Sequence, residues 1–258
     1  VPTATGAAIV ADQLRVRFED GSSVFDNLSV TISSGEMVAV VGKSGCGKTS
    51  LLRVLAGLQP LQAGRLQFDP PLEPQRGTVG YVFQNAALLP WRSAWQNVAL
   101  PLELITRGRR ARRAELRRQA YRWLDRVGLA EADHQKKPHQ LSGGMQMRVS
   151  IARALCTDPT LLLLDEPFAA LDDVLRARLG QLVQQLWMQQ SRTVVLVTHN
   201  IAEAVLNSQR VLVMNEGRIT SEITVDRPYP RPTSIAGDRY LLGRVAQITE
   251  ILEKADPV

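Results

Sequence analysis

No apolar run in this 258-residue chain approaches the roughly 20 residues that a bilayer-spanning helix requires, and the longest, such as Val38 to Val41 and Leu161 to Leu164, fall far short. Nothing in it reads as a transmembrane helix. Cysteine is equally scarce: Cys46 lies inside a glycine-rich loop and Cys156 closes a helical run, so a disulfide framework has no support and a reducing cytosol is favoured. The opening Val1-Pro2-Thr3-Ala4-Thr5-Gly6 lacks the basic and apolar regions of a secretory signal, and its first residue is not Met. The three histidines, His134, His139 and His199, belong to no metal-ligand cluster. Aromatics make up 5%, and no internal repeat is evident.

What remains is an ordinary globular composition, 45% hydrophobic and 22% charged. At this length a folded chain buries roughly 70–75% of its unfolded surface, so a full core is available. The net charge of +6 is carried largely by one stretch, Arg107, Arg109, Arg110, Arg112, Arg113, Arg117 and Arg118. Three readings of that run stand side by side: a solvated helix surface, contact with anionic lipid headgroups, or nucleic acid.

The centre of the chain is Val38 to Leu52, where an apolar strand feeds a glycine-rich turn and then a helix. Gly42, Lys43, Ser44, Gly45, Cys46, Gly47, Lys48 and Thr49 fit G-x-x-x-x-G-K-[ST], with Ser50 following. Glycines let backbone N–H groups close on a polyphosphate while the helix turns its positive dipole end toward the anion. Lys48 is expected on the β- and γ-phosphates, and the Thr49 hydroxyl on Mg²⁺.

Other chemistry-bearing residues sit where predicted strands end. Val10 to Phe18 and Leu28 to Ile32 read as an antiparallel start, and Phe18 is either an adenine stacker or a core residue. Thr78 to Gln84 is a strand whose terminal amide can reach Mg²⁺ or an attacking water. The Leu88-Leu89-Pro90-Trp91 that follows is core or a docking surface. Trp95 to Leu155 is largely helical, with breaks at Gly128 and Pro138. Within it Ser142, Gly143 and Gly144 open a helix as either an anion site or a plain N-cap. Leu161 to Leu164 is a buried strand delivering Asp165 and Glu166; Asp165 can orient Mg²⁺ and Glu166 can polarise the attacking water. Thr193 to His199 is the next such strand, and His199 is either structural or a γ-phosphate ligand. Arg210 to Val225 reads as a hairpin, Pro228 to Pro232 as a linker, and Ser234 to Glu253 as an amphipathic helix.

In their order these motifs resemble the ATP-binding subunit of an ABC transporter across nearly the whole chain. Gly42 to Thr49 is similar to Walker A, Gln84 to the Q-loop, Leu141 to Gln146 to the signature, Leu161 to Glu166 to Walker B, Ala170 to Asp172 to the D-loop and His199 to the H-loop. The resemblance implies an α/β P-loop NTPase with a RecA-like core, an antiparallel β subdomain and an inserted helical subdomain. Its boundaries would be an ATP-binding domain at 8–226, the helical insertion at about 86–158, and a linker with a small helical appendage at 227–258.

The same resemblance implies ATP and Mg²⁺ as cofactors, with Thr49, Gln84 and Asp165 toward the metal and Glu166, His199, Lys48 and Gln84 as catalytic residues. It implies a homodimer in which Ser142, Gly143 and Gly144 face the γ-phosphate of the opposite site, and it places Phe18 on the adenine. Partners would be transmembrane permease subunits docking near Leu88 to Trp91 and, indirectly, a periplasmic or lipid-anchored substrate-binding protein. No nucleic acid is expected, and the chain would lie on the cytoplasmic face of the plasma membrane. Gln84 to Trp91, Asn97 to Glu103 and the LSGGM signature are most similar to importers of nitrate, sulfonate or taurine type. The ATPase of an exporter or lipoprotein extractor is the alternative; a soluble ABC ATPase acting on DNA or ribosomes would normally carry a coiled coil or tandem domains. Met145, Ala169 with Ala170, and Asn200 depart from the common family pattern without removing a catalytic group.

Overall fold

The computed structural model describes residues 6–17, 21–106, 113–169, 171–190 and 192–254. Its centre is β3, Met37–Gly42, in which all six residues are buried. It lies between β7 (Thr193–Val197) and β8 (Arg210–Asn215), both parallel to it. Beyond β7 come β6 (Leu161–Asp165) and β5 (Val79–Val82), again parallel, while β9 (Arg218–Thr224) closes the other edge antiparallel to β8. The apolar sequences MVAVVG, LLLLD and TVVLV suit strands covered on both faces.

Side chains alternate across that sheet with period two. Ala39, Val41, Leu162, Leu164, Val194, Leu196, Val211 and Val213 join one core cluster, and Val38, Val40, Leu161, Leu163, Val195, Val197, Leu212 and Met214 join the other. The second cluster is roofed by helix α1 (Lys48–Leu55) and by a three-stranded antiparallel sheet of β2 (Ser23–Ile32), β1 (Ala8–Arg17) and β4 (Ala63–Asp69). Each fully buried Val or Leu contributes about 1.5–3 kcal/mol. Helix α1 stops at a Schellman turn, with Gly57 in the left-handed region and Leu58 N–H donating to Arg53 O at 2.8 Å.

The first cluster is covered by the helical insertion, α2 (Ala94–Ile105), α3 (Arg113–Arg126) and α4 (Gly143–Leu155), and by α5 (Asp173–Gln190), α6 (Ile201–Asn207) and α7 (Arg239–Lys254). Helices α2 to α4 together span residues 94–155. Among the described residues no helix is long and apolar enough to cross a membrane.

Two expectations about the C-terminus need correction. The helix expected from Ser234 begins at Arg239, because Gly237 adopts φ 86° and Asp238 Oδ1 caps the Tyr240 and Leu241 N–H groups. The helix is packed against the rest of the fold, with Leu241 and Ile248 fully buried in the main core. Pro228 to Pro232 is not a free linker. Arg231 is 2% exposed, stacks on Tyr229, and donates to Val205 O and Ser208 O at 2.6 Å and to Val225 O at 2.9 Å. With Gln184 on Leu206 O and Ser208 on Ala204 O, it satisfies the carbonyls that end α6.

Arg231→Met should leave those carbonyls unpaired at a cost of about 3 kcal/mol in urea unfolding. Arg231→Lys, with no planar fork, should recover little of it. A change below about 0.5 kcal/mol for Arg231→Met, the level of an ordinary surface substitution, would remove this role.

Candidate functional site

The site forms where the parallel strands end. Val40 pairs with Val197, and Val197 with Asp165, so the loops after β3, β6 and β7 leave the sheet at one edge. The loop after β3 can form only because Gly42 has no side chain: a Cβ there would lie 2.1 Å from Met214 O. Gly45 and Gly47 take φ 79° and 105°, which L side chains avoid. The loop is tied down by Gly217 N–H, which donates to Cys46 O at 3.1 Å. Lys48 opens α1, 7% exposed, with Nζ donating to Gly42 O at 2.8 Å and Lys43 O at 2.7 Å. Its ammonium is thus held across the loop by neutral carbonyls rather than by a carboxylate.

Asp165, buried at the end of β6, accepts from Thr49 Oγ1 at 3.0 Å and from the Tyr81 hydroxyl at 3.4 Å. Burial raises its pKa, while the Thr49 hydrogen bond opposes the rise. The Tyr81 phenol is pushed up by burial and then by the nearby Asp165 charge. Glu166 sits at φ 47°, its N–H donating to Val197 O at 2.9 Å, and its Oε2 is 3.1 Å from His199 Nδ1. An acid in the left-handed region is strained, and the strain turns this carboxylate out of the strand toward the cavity.

That cavity, about 410 Å³, is lined by Ser23, Val24, Ser44, Gly45, Gly47, Lys48, Thr49, Ser50, Gln84, Glu166 and His199. Nine of these were expected from sequence. Gly42 and Cys46 lie buried beneath the loop, and Asp165 reaches the lining through Thr49. Ser142, Gly143 and Gly144 are not in the lining; Ser142 caps α4 by accepting from Met145 N at 3.3 Å. Phe18 lies outside the described residues, as does Ala170. Sequence reasoning missed Ser23, Val24 and Tyr81. No sequence signal marks Tyr81 for the site: on β5 it reads as an ordinary strand aromatic, and its ring packs 4.2 Å from that of Phe83, just beyond the strand.

Thr49, Asp165 and Gln84 offer a hydroxyl, a carboxylate and an amide oxygen, a hard donor set that suits Mg²⁺ completed by phosphate and water. Among the described residues no cluster of three or more His, Cys, Asp or Glu side chains stands ready to hold a metal alone.

Elsewhere Asn200 caps α6 by accepting Glu203 N–H at 3.0 Å, the job an Asp would do, which accounts for that departure. Leu88 packs on the core while Trp91 is 68% exposed, so the segment is neither wholly buried nor wholly surface. Of the basic run, Arg113 lies over Trp95, Arg117 over Tyr121, and Arg118 pairs with Glu115; Arg107, Arg109, Arg110 and Arg112 fall outside the described residues.

A family model for the ABC transporter matches residues 25–169. This chain belongs to that family. As an ABC protein it is an ATP-binding and ATP-hydrolysing subunit. It is 41% identical over 251 residues to an aliphatic sulfonates import ATP-binding protein of Pseudomonas fluorescens, covering 97% of this chain and 90% of the relative. A protein of the same description from Xanthomonas axonopodis is 40% identical, covering 98% of this chain and 84% of the relative. Among solved structures, a dimeric ATP-binding cassette in a post-hydrolysis state bound to ADP and Pi superimposes with TM-score 0.78 at 31% identity, covering 86% of this chain and 100% of that one. The ABC fold expected from sequence is therefore present.

Behind His199 lies Glu203, 6% exposed, hydrogen-bonded by the Thr198 side chain but with Oε1 unpartnered. Burial lifts its pKa from 4.5 to about 7; Thr198 and Arg176 pull it down, and Glu166 adds to the rise. Its folded pKa therefore exceeds its unfolded one, so the folded chain holds an extra proton between those values and loses stability as pH rises through the window. The loss is complete above about 7 and amounts to up to about 3 kcal/mol. Thermal unfolding of Glu203→Gln against the parent should give a Tm advantage that grows by several degrees from about pH 5.5 to 8; a pH-independent difference would contradict the assignment.

Proposed function

We propose that this chain is the Mg-ATP-driven subunit of an importer for small aliphatic-sulfonate-type solutes. In this reading it works as a homodimer on the cytoplasmic face of a membrane, beneath separate permease subunits and indirectly served by a substrate-binding protein. The observation that carries the chemistry is the Glu166–His199 pair, 3.1 Å apart, facing the same cavity as Lys48 and Thr49. The names of the relatives, all import ATP-binding proteins for aliphatic sulfonates, support the cargo class. Their match over nearly the whole chain favours import over export.

The proposed division of labour follows from where each group is held. Lys48 Nζ exchanges its two carbonyl partners for phosphate oxygens, a trade of neutral for charge-assisted hydrogen bonds. Mg²⁺, when bound, supplies neutralisation of phosphate charge; Thr49, Asp165 and Gln84 are the side chains that would hold it. Glu166 takes the proton from water, and His199, steadied at Nδ1 by that carboxylate, orients the γ-phosphate with its other nitrogen. Ser142, Gly143 and Gly144 lie away from their own cavity and would complete a partner's. Phe18 would stack on the adenine. The exposed Trp91 and the half-buried Leu88 beside it form the proposed seat for a permease segment.

Glu166→Gln should keep ATP binding, cut steady-state turnover by about 10²–10⁴-fold and accumulate an ATP-bound dimer on size exclusion. Turnover at the parent rate would overturn the assignment of the general base. Co-expression with candidate permeases, followed by transport of labelled alkanesulfonates, tests the cargo.

A further inference from the structure

The segment joining β5 to α2 is gripped at two points by the helical subdomain. Asn97, fully buried on α2, grips one: its Oδ1 accepts from Leu89 N–H at 2.8 Å, and its Nδ2 donates to Arg92 O and Ser93 O, each at 3.1 Å. Arg153, in the last turn of α4, grips the other. Its Nη1 donates to Ala87 O at 2.8 Å and its Nη2 to Ala86 O at 2.9 Å. Ala87 stands at φ 45°, a conformation that alanine avoids, so the fork holds the backbone where it would not rest by itself.

Arg153 is an expensive residue to place there. Burial lowers its pKa, and among the described residues no carboxylate pairs with it; its neighbours are two backbone carbonyls and, more distantly, Ser150 Oγ. An apolar side chain would fill the space without that desolvation cost. The guanidinium does what such a side chain cannot, which is to hold two consecutive carbonyls with one fork of donors.

Only Phe83, Gln84 and Asn85 separate the end of β5 at Val82 from this grip. Three residues reach at most about 10 Å when extended, so Gln84 is tethered between the sheet on one side and α4 on the other. Gln84 lines the cavity that holds Lys48, Thr49 and Glu166. Helix α4 runs from its Ser142 cap to Leu155, about 20 Å at 1.5 Å per residue. Its far end carries Ser142, Gly143 and Gly144.

We propose that Arg153 is a positioning residue that ties Gln84 to α4, so that the placement of Gln84 in one nucleotide site reports the position of the Ser142–Gly144 end of the same helix, and hence the state of the second site. The inference rests on the reading of Gln84 and Ser142–Gly144 given above. A helix tilt that moves its Ser142 end shifts Arg153 with it, and the two carbonyls carry that shift across three residues to Gln84. Arg153 does not line the cavity, so its effect on the site is indirect, and the route through Gln84 is what the test isolates.

The test is a double-mutant cycle on the full chain with Mg-ATP: Arg153→Gln, Arg153→Lys, Gln84→Ala and the two doubles. Arg153→Gln should lower kcat about tenfold with KM for ATP changed less than about threefold, and the Hill coefficient should fall toward 1. Arg153→Lys, which keeps the charge and reaches one carbonyl, should lose at least half of that activity. The decisive result is non-additivity: each double should be no slower than Gln84→Ala. Multiplicative losses, or an Arg153 effect seen only as a lower Tm and a smaller ATP-binding stoichiometry, would overturn the proposal. If Arg153→Gln does not fold, the cycle with Arg153→Lys decides in the same way. Gln84→Ala slow with both Arg153 variants at the parent kcat defeats this inference alone; Gln84→Ala at the parent kcat defeats the assignment of Gln84 and this inference with it.

Discussion

Everything at the site depends on β3 being hydrogen-bonded on both sides and buried on both faces. A strand so enclosed cannot slip by one residue without exchanging Val38 and Val40 for Ala39 and Val41 between the two core clusters. Its carboxyl end is therefore fixed relative to β7 and β8. Gly42 then passes so close to Met214 O that no side chain is tolerated, and the loop that follows inherits a fixed starting point. Asp165, Glu166 and His199 reach the same edge because β6 and β7 carry the same constraint. The cavity is a consequence of register more than of loop sequence.

Electrostatics at that edge are unbalanced in a useful way. Lys48 is met by two neutral carbonyls and, more weakly, the Cys46 sulfur, and Asp165 by hydroxyls, so neither charge has its strongest partner. Glu166 and the buried Glu203 repel one another through the turn that bears His199. A polyanion arriving with a divalent cation would relieve the first two deficits together, because cation and anion each meet a group held in place beforehand. The third is relieved by Glu203 holding a proton, which its burial already favours.

Much of this was legible in the sequence because the informative signals are local and short-ranged. Gly42 to Thr49 states its own turn and helix start, and the apolar runs ending in Asp165-Glu166 and His199 state both burial and the polar terminus. Tyr81, Ser23 and Val24 were not legible: each joins the site through neighbours distant in the chain, Tyr81 through Asp165 and the other two through the Gly45–Gly47 turn. The C-terminal region failed for a related reason. Ser234 onward has helical periodicity, but Gly237 and Asp238 decide where the helix begins, and the proline-flanked Arg231 looks like linker until the α6 carbonyls it serves are known. Leu88 to Trp91 stayed ambiguous because its residues divide, Leu88 toward the core and Trp91 toward solvent.

The position of α4 gives the remaining step. Its Ser142 end does not line the cavity that Lys48 and Glu166 share, while its Arg153 end grips the strand extension that does supply that cavity with Gln84. One rigid element thus has its two ends committed to different places. On the proposed reading, Ser142 to Gly144 would meet a phosphate bound to another molecule, and the chain's own cavity would be completed by a partner's glycines. On that reading, a helix arranged in this way makes a lone subunit incomplete twice over: its site would lack a wall, and its lever a load. Dimerisation would supply both at once, so hydrolysis in such a chain would be coupled to assembly by the same residues that assembly brings together.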